Sequence, residues 1–146
     1  MSKIFVIKKK IKNFEKKIKV SGDKSLSIRW VLLASIADGK SRSFNLLNSE
    51  DVKASIDAVK KLGIKVKLQK NFCEVFGKGL DGYNYKNNIV INAKNSGTLG
   101  RLICGLLVNT KTKIKIIGDK SLSRRDFKRV SDPITKIWCK ILTYKK

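Results

Sequence analysis

The sequence predicts an α/β (α+β) fold made of repeated β-α-β-α-β-β units, one whole and one cut short, and three observations carry that prediction. Helical and extended patterns alternate along the 146 residues. The order helix–strand–helix–strand recurs after about 70–80 residues, as expected of a duplicated supersecondary unit. The octet Gly22-Asp23-Lys24-Ser25-Leu26-Ser27-Ile28-Arg29 also returns as Gly118-Asp119-Lys120-Ser121-Leu122-Ser123-Arg124-Arg125, seven of eight positions being identical. The octet and the helix–strand recurrence have different registers, and the longer recurrence is the more structural of the two.

Each element has a local cause. Residues 3–20 alternate apolar and basic side chains (Ile4/Val6, Ile11, Ile18/Val20), which predicts one or two strands. From Ser25 to Ala37 the apolar positions have helical density, with Gly39 placed as a glycine just past a helix end. Ser43–Leu47 looks extended. Ser49 caps a second helix with Glu50 and Asp51 in its first turn, an apolar stripe from Ala54 to Leu62, and Gly63 at its end. Ile64–Leu68 and Phe72–Phe76 follow as strands, and Gly77–Asn88 as a loop. Ile89–Ile91 is a short strand, Ser96 or Thr98 opens a helix to about Val108, and Thr112–Ile117 is a strand with Lys/Ile alternation. Asp132 followed by Pro133 predicts the start of a last helix, and Gly63–Val66 parallels Cys139–Leu142 in the second unit.

Composition narrows the function. Lys+Arg number 34 against 11 Asp+Glu, a formal charge of +23, while a hydrophobic share of 42% is enough for a core. Such an excess invites a nucleic-acid partner, because Lys and Arg neutralise phosphates and release counterions. The surplus is instead spread along the chain, aromatics do not interleave with it, and lysine travels with 17 Ile and 10 Asn, the residues of A/T-rich codons. Solvated lysine faces are therefore expected and nucleic acid is the less favoured partner. Without histidine there is no Ser-His-Asp or Cys-His catalysis and no His-dependent metal site. Cys73, Cys104 and Cys139 are odd in number and far apart, which suits reduced thiols and a cytoplasmic location. No apolar run approaches 18 residues and the opening MSKIFVIKKK has no apolar signal core, so neither a membrane span nor secretion is expected.

Three motifs bear on anions. Ala34–Ser41 (ASIADGKS) fits a loosened Walker A pattern, but a P-loop needs a strand before and a helix after, and here the predicted order is reversed. Gly22-Asp23-Lys24-Ser25 precedes a helix bearing Arg29 four residues beyond Ser25; the group could converge on an anion, or Ser25 could simply cap the helix beside solvated cations. Asn95-Ser96-Gly97-Thr98-Leu99-Gly100-Arg101 repeats the design, with small residues that let a ligand approach the backbone. Together with Ser123-Arg124-Arg125, these predict one shared site for a small, multiply anionic ligand carrying phosphate or carboxylate groups.

In that order, KVSGDKSLSIR (19–29), NLLNSEDV (45–52), LGIKV (62–66), NSGTLGRLICGLL (95–107) and GDKSLSRRDFKRVSDPI (118–134) closely resemble 5-enolpyruvylshikimate-3-phosphate synthases. The resemblance spans nearly all of residues 19–140. It implies the enolpyruvyl transferase fold and transfer of the enolpyruvyl group of phosphoenolpyruvate to the 5-hydroxyl of shikimate 3-phosphate, releasing phosphate through a tetrahedral intermediate, with no cofactor or metal. It implies that Lys24 touches both substrates, that Ser25 and Arg29 hold shikimate 3-phosphate, that Gly97 admits phosphoenolpyruvate closely with Thr98 beside it, and that Arg125 clamps its phosphate. Ser21 and Asp126 stand where the family commonly has proline, and Asp126 puts a carboxylate beside the expected clamp. Family members have two domains of three units each. The resemblance therefore implies that residues 1–20 are a strand segment pairing with the second domain and that residues 21–146 are part of the first. It also implies that the chain is a fragment, inactive alone; the alternative is a non-catalytic anion-binding fragment, or one that complements a separate chain supplying the missing domain.

Overall fold

A computed structural model describes residues 4–10, 12–110, 112–137 and 141. Helix α1 spans Lys24–Ile36, and the side chain of its N-cap Asp23 accepts from Leu26 N–H at 2.7 Å. Ile28, Val31 and Leu32 are buried, whereas Leu26 and Leu33 on the other side are exposed, so α1 is apolar nearly all round. Its last turn closes through Ala37 N–H to the Leu33 carbonyl, and Ala37 is already extended, which turns the chain directly into strand β1, Asp38–Phe44. Gly39 is therefore a residue of β1 rather than the glycine past the helix end, and the extended segment lies earlier than the predicted Ser43–Leu47.

Helix α2, Glu50–Lys61, is capped by Ser49 as expected. Acidic residues occupy its first turn and Lys60 and Lys61 its last, each sign complementing the nearby end of the helix dipole. Gly63, with φ +87°, follows it, and strands β2 (Lys65–Leu68) and β3 (Phe72–Lys78) come next. The sheet has the order β1-β3-β2, antiparallel throughout, with Ser41 and Val66 both opposite Val75. Cys73 and Val75 point at the helices, while Lys40, Arg42, Lys65, Lys67 and Glu74 belong to the opposite face.

The second unit begins with β4, Val90–Asn92, followed by helix α3, Gly97–Leu106, and β5, Lys115–Ile117, which pairs parallel to β4 with Ile91 opposite Ile116. The connection through α3 makes a β-α-β unit. A four-residue helix α4, Lys120–Ser123, and helix α5, Lys128–Ile137, complete the described chain. Ile28, Val31, Val59, Leu62, Val75, Ile91, Leu99 and Ile103 form one continuous core between the two units. No helix among the described residues is long and apolar enough to cross a membrane.

Two further expectations concern the ends of the chain. The described part of residues 3–20 carries no strand, and Ile4, Phe5, Val6 and Ile7 are exposed. An alternating pattern supplies a strand's side chains but not the neighbouring strand whose backbone it must bond. The last helix starts at Lys128 and not at Pro133: the Asp126 carboxylate accepts from Lys128 N–H at 2.8 Å, the Phe127 carbonyl accepts from Ser131 N–H, and Pro133 lies within the helix. The parallel drawn at Cys139–Leu142 involves positions outside the described residues.

Candidate active site

The floor of the site is the start of α3. Ser96 is buried and its hydroxyl oxygen accepts from Leu99 N–H at 3.1 Å, while the Gly97 and Thr98 N–H groups of the first turn have no acceptor within the helix. The turn before it is pinned on both sides: Ala93 N–H donates to the Ile117 carbonyl and Asp119 N–H to the Lys94 carbonyl, each at 2.8 Å. That lattice places the 118–125 octet against the 94–97 turn. Asp119 then caps α4 through Leu122 N–H, Leu122 is buried, and Arg125 leaves the end of α4 over the turn. Its Nη2 donates to Asn95 Oδ1 at 2.8 Å.

Arg101, one helical turn beyond Gly97, faces the same space. A Cβ on Gly97 would stand 2.8 Å from Arg101 Nη1 and 2.9 Å from Arg125 Nη1, so two guanidinium groups converge above this glycine. Any side chain there would occupy the point at which they meet.

The opposite wall comes from α1 and α2. Ser27 Oγ donates to the Asp23 carbonyl at 2.6 Å and accepts from Leu47 N–H at 3.0 Å, tying the start of α1 to the chain entering α2. Lys24 thereby meets Asp51 in the first turn of α2, Nζ to Oδ2 at 3.1 Å. Lys24, Asp51, Asn95, Ser96, Gly97, Thr98, Arg101 and Arg125 line a polar cleft of about 450 Å³. Three cations against one carboxylate, with helix N–H groups between them, suit an anion bearing more than one charge.

Of the six residues singled out from the sequence, Lys24, Gly97, Thr98 and Arg125 line this cleft. Ser25 and Arg29 do not: Ser25 is half-buried beside Lys24, and Arg29 is exposed further along α1. Ser25 is not the helix cap either, since Asp23 fills that role. The Asp126 carboxylate, a potential competitor for Arg125, is engaged in capping α5. Ala34 lies in α1 and Ser41 in β1, so the Walker-like run has helix before strand and cannot cradle a phosphate. Asn95 and Arg101 come from the motif read as an anion turn, though neither had a role of its own, and Asp51 is an addition of the fold. Arg101 stands in the NSGTLGR motif at the i+4 spacing that puts it on the face of Gly97; nothing local marks Asp51, which becomes recognisable only when α1 and α2 pack together.

Comparison with known proteins identifies the family. The family model for EPSP synthase (3-phosphoshikimate 1-carboxyvinyltransferase) matches residues 8–146. A 3-phosphoshikimate 1-carboxyvinyltransferase of a Sulfurihydrogenibium species is 38% identical over 133 residues, 91% of this chain and 31% of its own length. The protein of the same name from Bacillus cytotoxicus is 40% identical over 117 residues, 80% of this chain and 27% of its own length. An EPSP synthase structure from Acinetobacter baumannii superposes with a TM-score of 0.79 at 30% identity, covering 86% of this chain and 28% of that one. The chain thus spans about three-tenths of the length of the curated relatives it matches. Its motifs, fold and family match agree, and this chain belongs to the EPSP synthase family.

Proposed function

We propose that the cleft is one wall of an enolpyruvyl-transfer site, in which phosphoenolpyruvate and shikimate 3-phosphate meet. The observation that carries this reading is the convergence of Arg101 and Arg125 over Gly97 at a helix N-terminus. A phosphate there takes hydrogen bonds from two guanidinium groups and from the first N–H groups of α3. Each charged hydrogen bond contributes about 1.5–3 kcal/mol and the helix terminus about 0.3–1 kcal/mol. Gly97 admits the phosphate to the backbone, Thr98 flanks it, and Arg125 is its clamp. Lys24, opposite, reaches both substrates, while Ser25 and Arg29 extend the surface for shikimate 3-phosphate along α1.

In the reaction, the 5-hydroxyl gives up its proton as its oxygen bonds to C2 of phosphoenolpyruvate, the C2–C3 double bond opens and C3 takes a proton. The bond between C2 and the phosphate oxygen then breaks, phosphate leaves with that oxygen, and C3 gives up a proton as the double bond reforms. The cleft residues hold both anions in place and offset the charge on the departing phosphate, a contribution of positioning and electrostatics. Residues 21–146 belong to the first domain on this reading, residues 1–20 pair with a part of the enzyme outside this chain, and a cytoplasmic location accords with the buried, unbridged thiol of Cys73.

Calorimetric titration with phosphoenolpyruvate tests the reading. The chain should bind it, and Lys24→Met and Arg125→Ala should each weaken binding about tenfold or more. Equal affinity in all three proteins would refute it. With only one wall supplied, turnover by the chain alone should be negligible; phosphate release from the two substrates well above the Lys24→Met control would overturn that part.

A further inference from the structure

Arg101 is held by the two residues that follow Arg125 in sequence. Its guanidinium carbon lies 5.1 Å from the centroid of the Phe127 ring, and its Nη2 donates to the Asp126 carbonyl at 3.2 Å. The ring is itself fixed from two directions. A Cβ on Gly100 would stand 3.3 Å from Phe127 Cζ, so the ring lies close against the α3 backbone. The Phe127 carbonyl accepts from Val130 and Ser131 N–H, each at 2.9 Å, at the start of α5. The backbone of Phe127 is thus anchored in α5 while its ring packs on α3.

Arginine is a poor clamp when its long side chain is left to wander. An aromatic face attracts the guanidinium without consuming its hydrogen-bond donors, whereas a carboxylate in the same place would neutralise it. Arg101 Nη1 remains directed at the space above Gly97 while the ring supports the group from one side. The Arg125–Phe127 segment then serves both cations: Arg125 is aimed by Asn95, and Arg101 by the Asp126 carbonyl and Phe127.

We infer that Phe127 is a positioning residue for the anion site, holding the Arg101 guanidinium over Gly97 through its aromatic face. This rests on the reading that the cleft receives phosphoenolpyruvate, but part of its test does not need the ligand. Phe127→Leu keeps an apolar side chain and removes the π face; Phe127→Trp keeps the face. In the 146-residue chain, the Arg101 Hε resonance should show an aromatic ring-current shift in wild type and in Phe127→Trp, and lose it in Phe127→Leu. Phosphoenolpyruvate affinity should fall about three- to tenfold in Phe127→Leu and stay within about twofold in Phe127→Trp. An unchanged Arg101 resonance in Phe127→Leu overturns the inference, as does a Phe127→Trp protein that binds as weakly as Phe127→Leu. If wild type fails to bind phosphoenolpyruvate, the proposed function falls, and the resonance alone still decides whether Phe127 holds Arg101.

Discussion

Replacing Gly97 by alanine separates what stabilises this chain from what equips its cleft. The position is buried in the first turn of α3, where helix propensity favours alanine over glycine by about 0.5–1 kcal/mol in a helix interior and by less at an end. The new Cβ would stand 2.8 and 2.9 Å from Arg101 Nη1 and Arg125 Nη1. Both are far ends of flexible side chains, so the guanidinium groups can swing aside by a few tenths of an ångström and the fold need not give. Stability should therefore hold or rise by less than about 1 kcal/mol. The anion site loses twice: the methyl fills the point of closest approach, and the displaced cations no longer converge. Loss of one charged hydrogen bond is worth about 1.5–3 kcal/mol, or roughly 10- to 100-fold in affinity. Urea unfolding and calorimetric titration with phosphoenolpyruvate read the two effects separately. A Gly97→Ala protein that binds as tightly as wild type, or one destabilised by more than about 1 kcal/mol, would refute this account of the glycine.

Three further outcomes follow from local chemistry. Asp23→Ala removes the side-chain acceptor for Leu26 N–H and should cost about 1 kcal/mol in urea unfolding, whereas an unchanged midpoint would show the cap to be dispensable. The Arg42 guanidinium hydrogen-bonded to Glu74 holds its carboxyl below the usual carboxylate range against the opposing effect of burial, with Arg42, Lys40 and Lys67 charges adding to the lowering. A group with a depressed folded value stabilises above its unfolded value, about 4.3 for Glu, and loses that contribution as pH falls through the folded value; the advantage of wild type over Glu74→Gln, measured in urea at pH 6, should thus disappear in acid, and an advantage that persists there would contradict the pairing. Burial pushes the Cys73 thiol up, so at pH 7.5 it stays protonated, and iodoacetamide labelling followed by peptide mass spectrometry should find it modified far more slowly in the folded than in the unfolded chain. Equal rates would place Cys73 at the surface.

Where the sequence carries its own signal, the structure follows it. Ser49, Ser96 and the apolar stripes of α2 and α3 announce their helices. The repeated octet is more instructive. Both copies form the same cap, Asp23 to Leu26 N–H and Asp119 to Leu122 N–H, each at 2.7 Å. The copies then diverge at their one difference. Ile28 enters the core and α1 runs to 13 residues in all, whereas Arg124 is exposed and ends α4 after four. The octet thus encodes a cap, while the larger recurrence sets α1–β1–α2 against α3–β5–α5. What local pattern could not supply was anything needing a distant partner, such as the meeting of Lys24 with Asp51 and the stacking of Arg101 on Phe127.

The most direct test of the central claim is a titration of the ¹⁵N-labelled chain with phosphoenolpyruvate, followed by amide and side-chain chemical shifts. The account predicts saturable changes confined to Lys24, residues 95–101 and Arg125, and their loss in Arg125→Ala. Changes spread over the lysines of the open sheet face, or none at the start of α3, would contradict it.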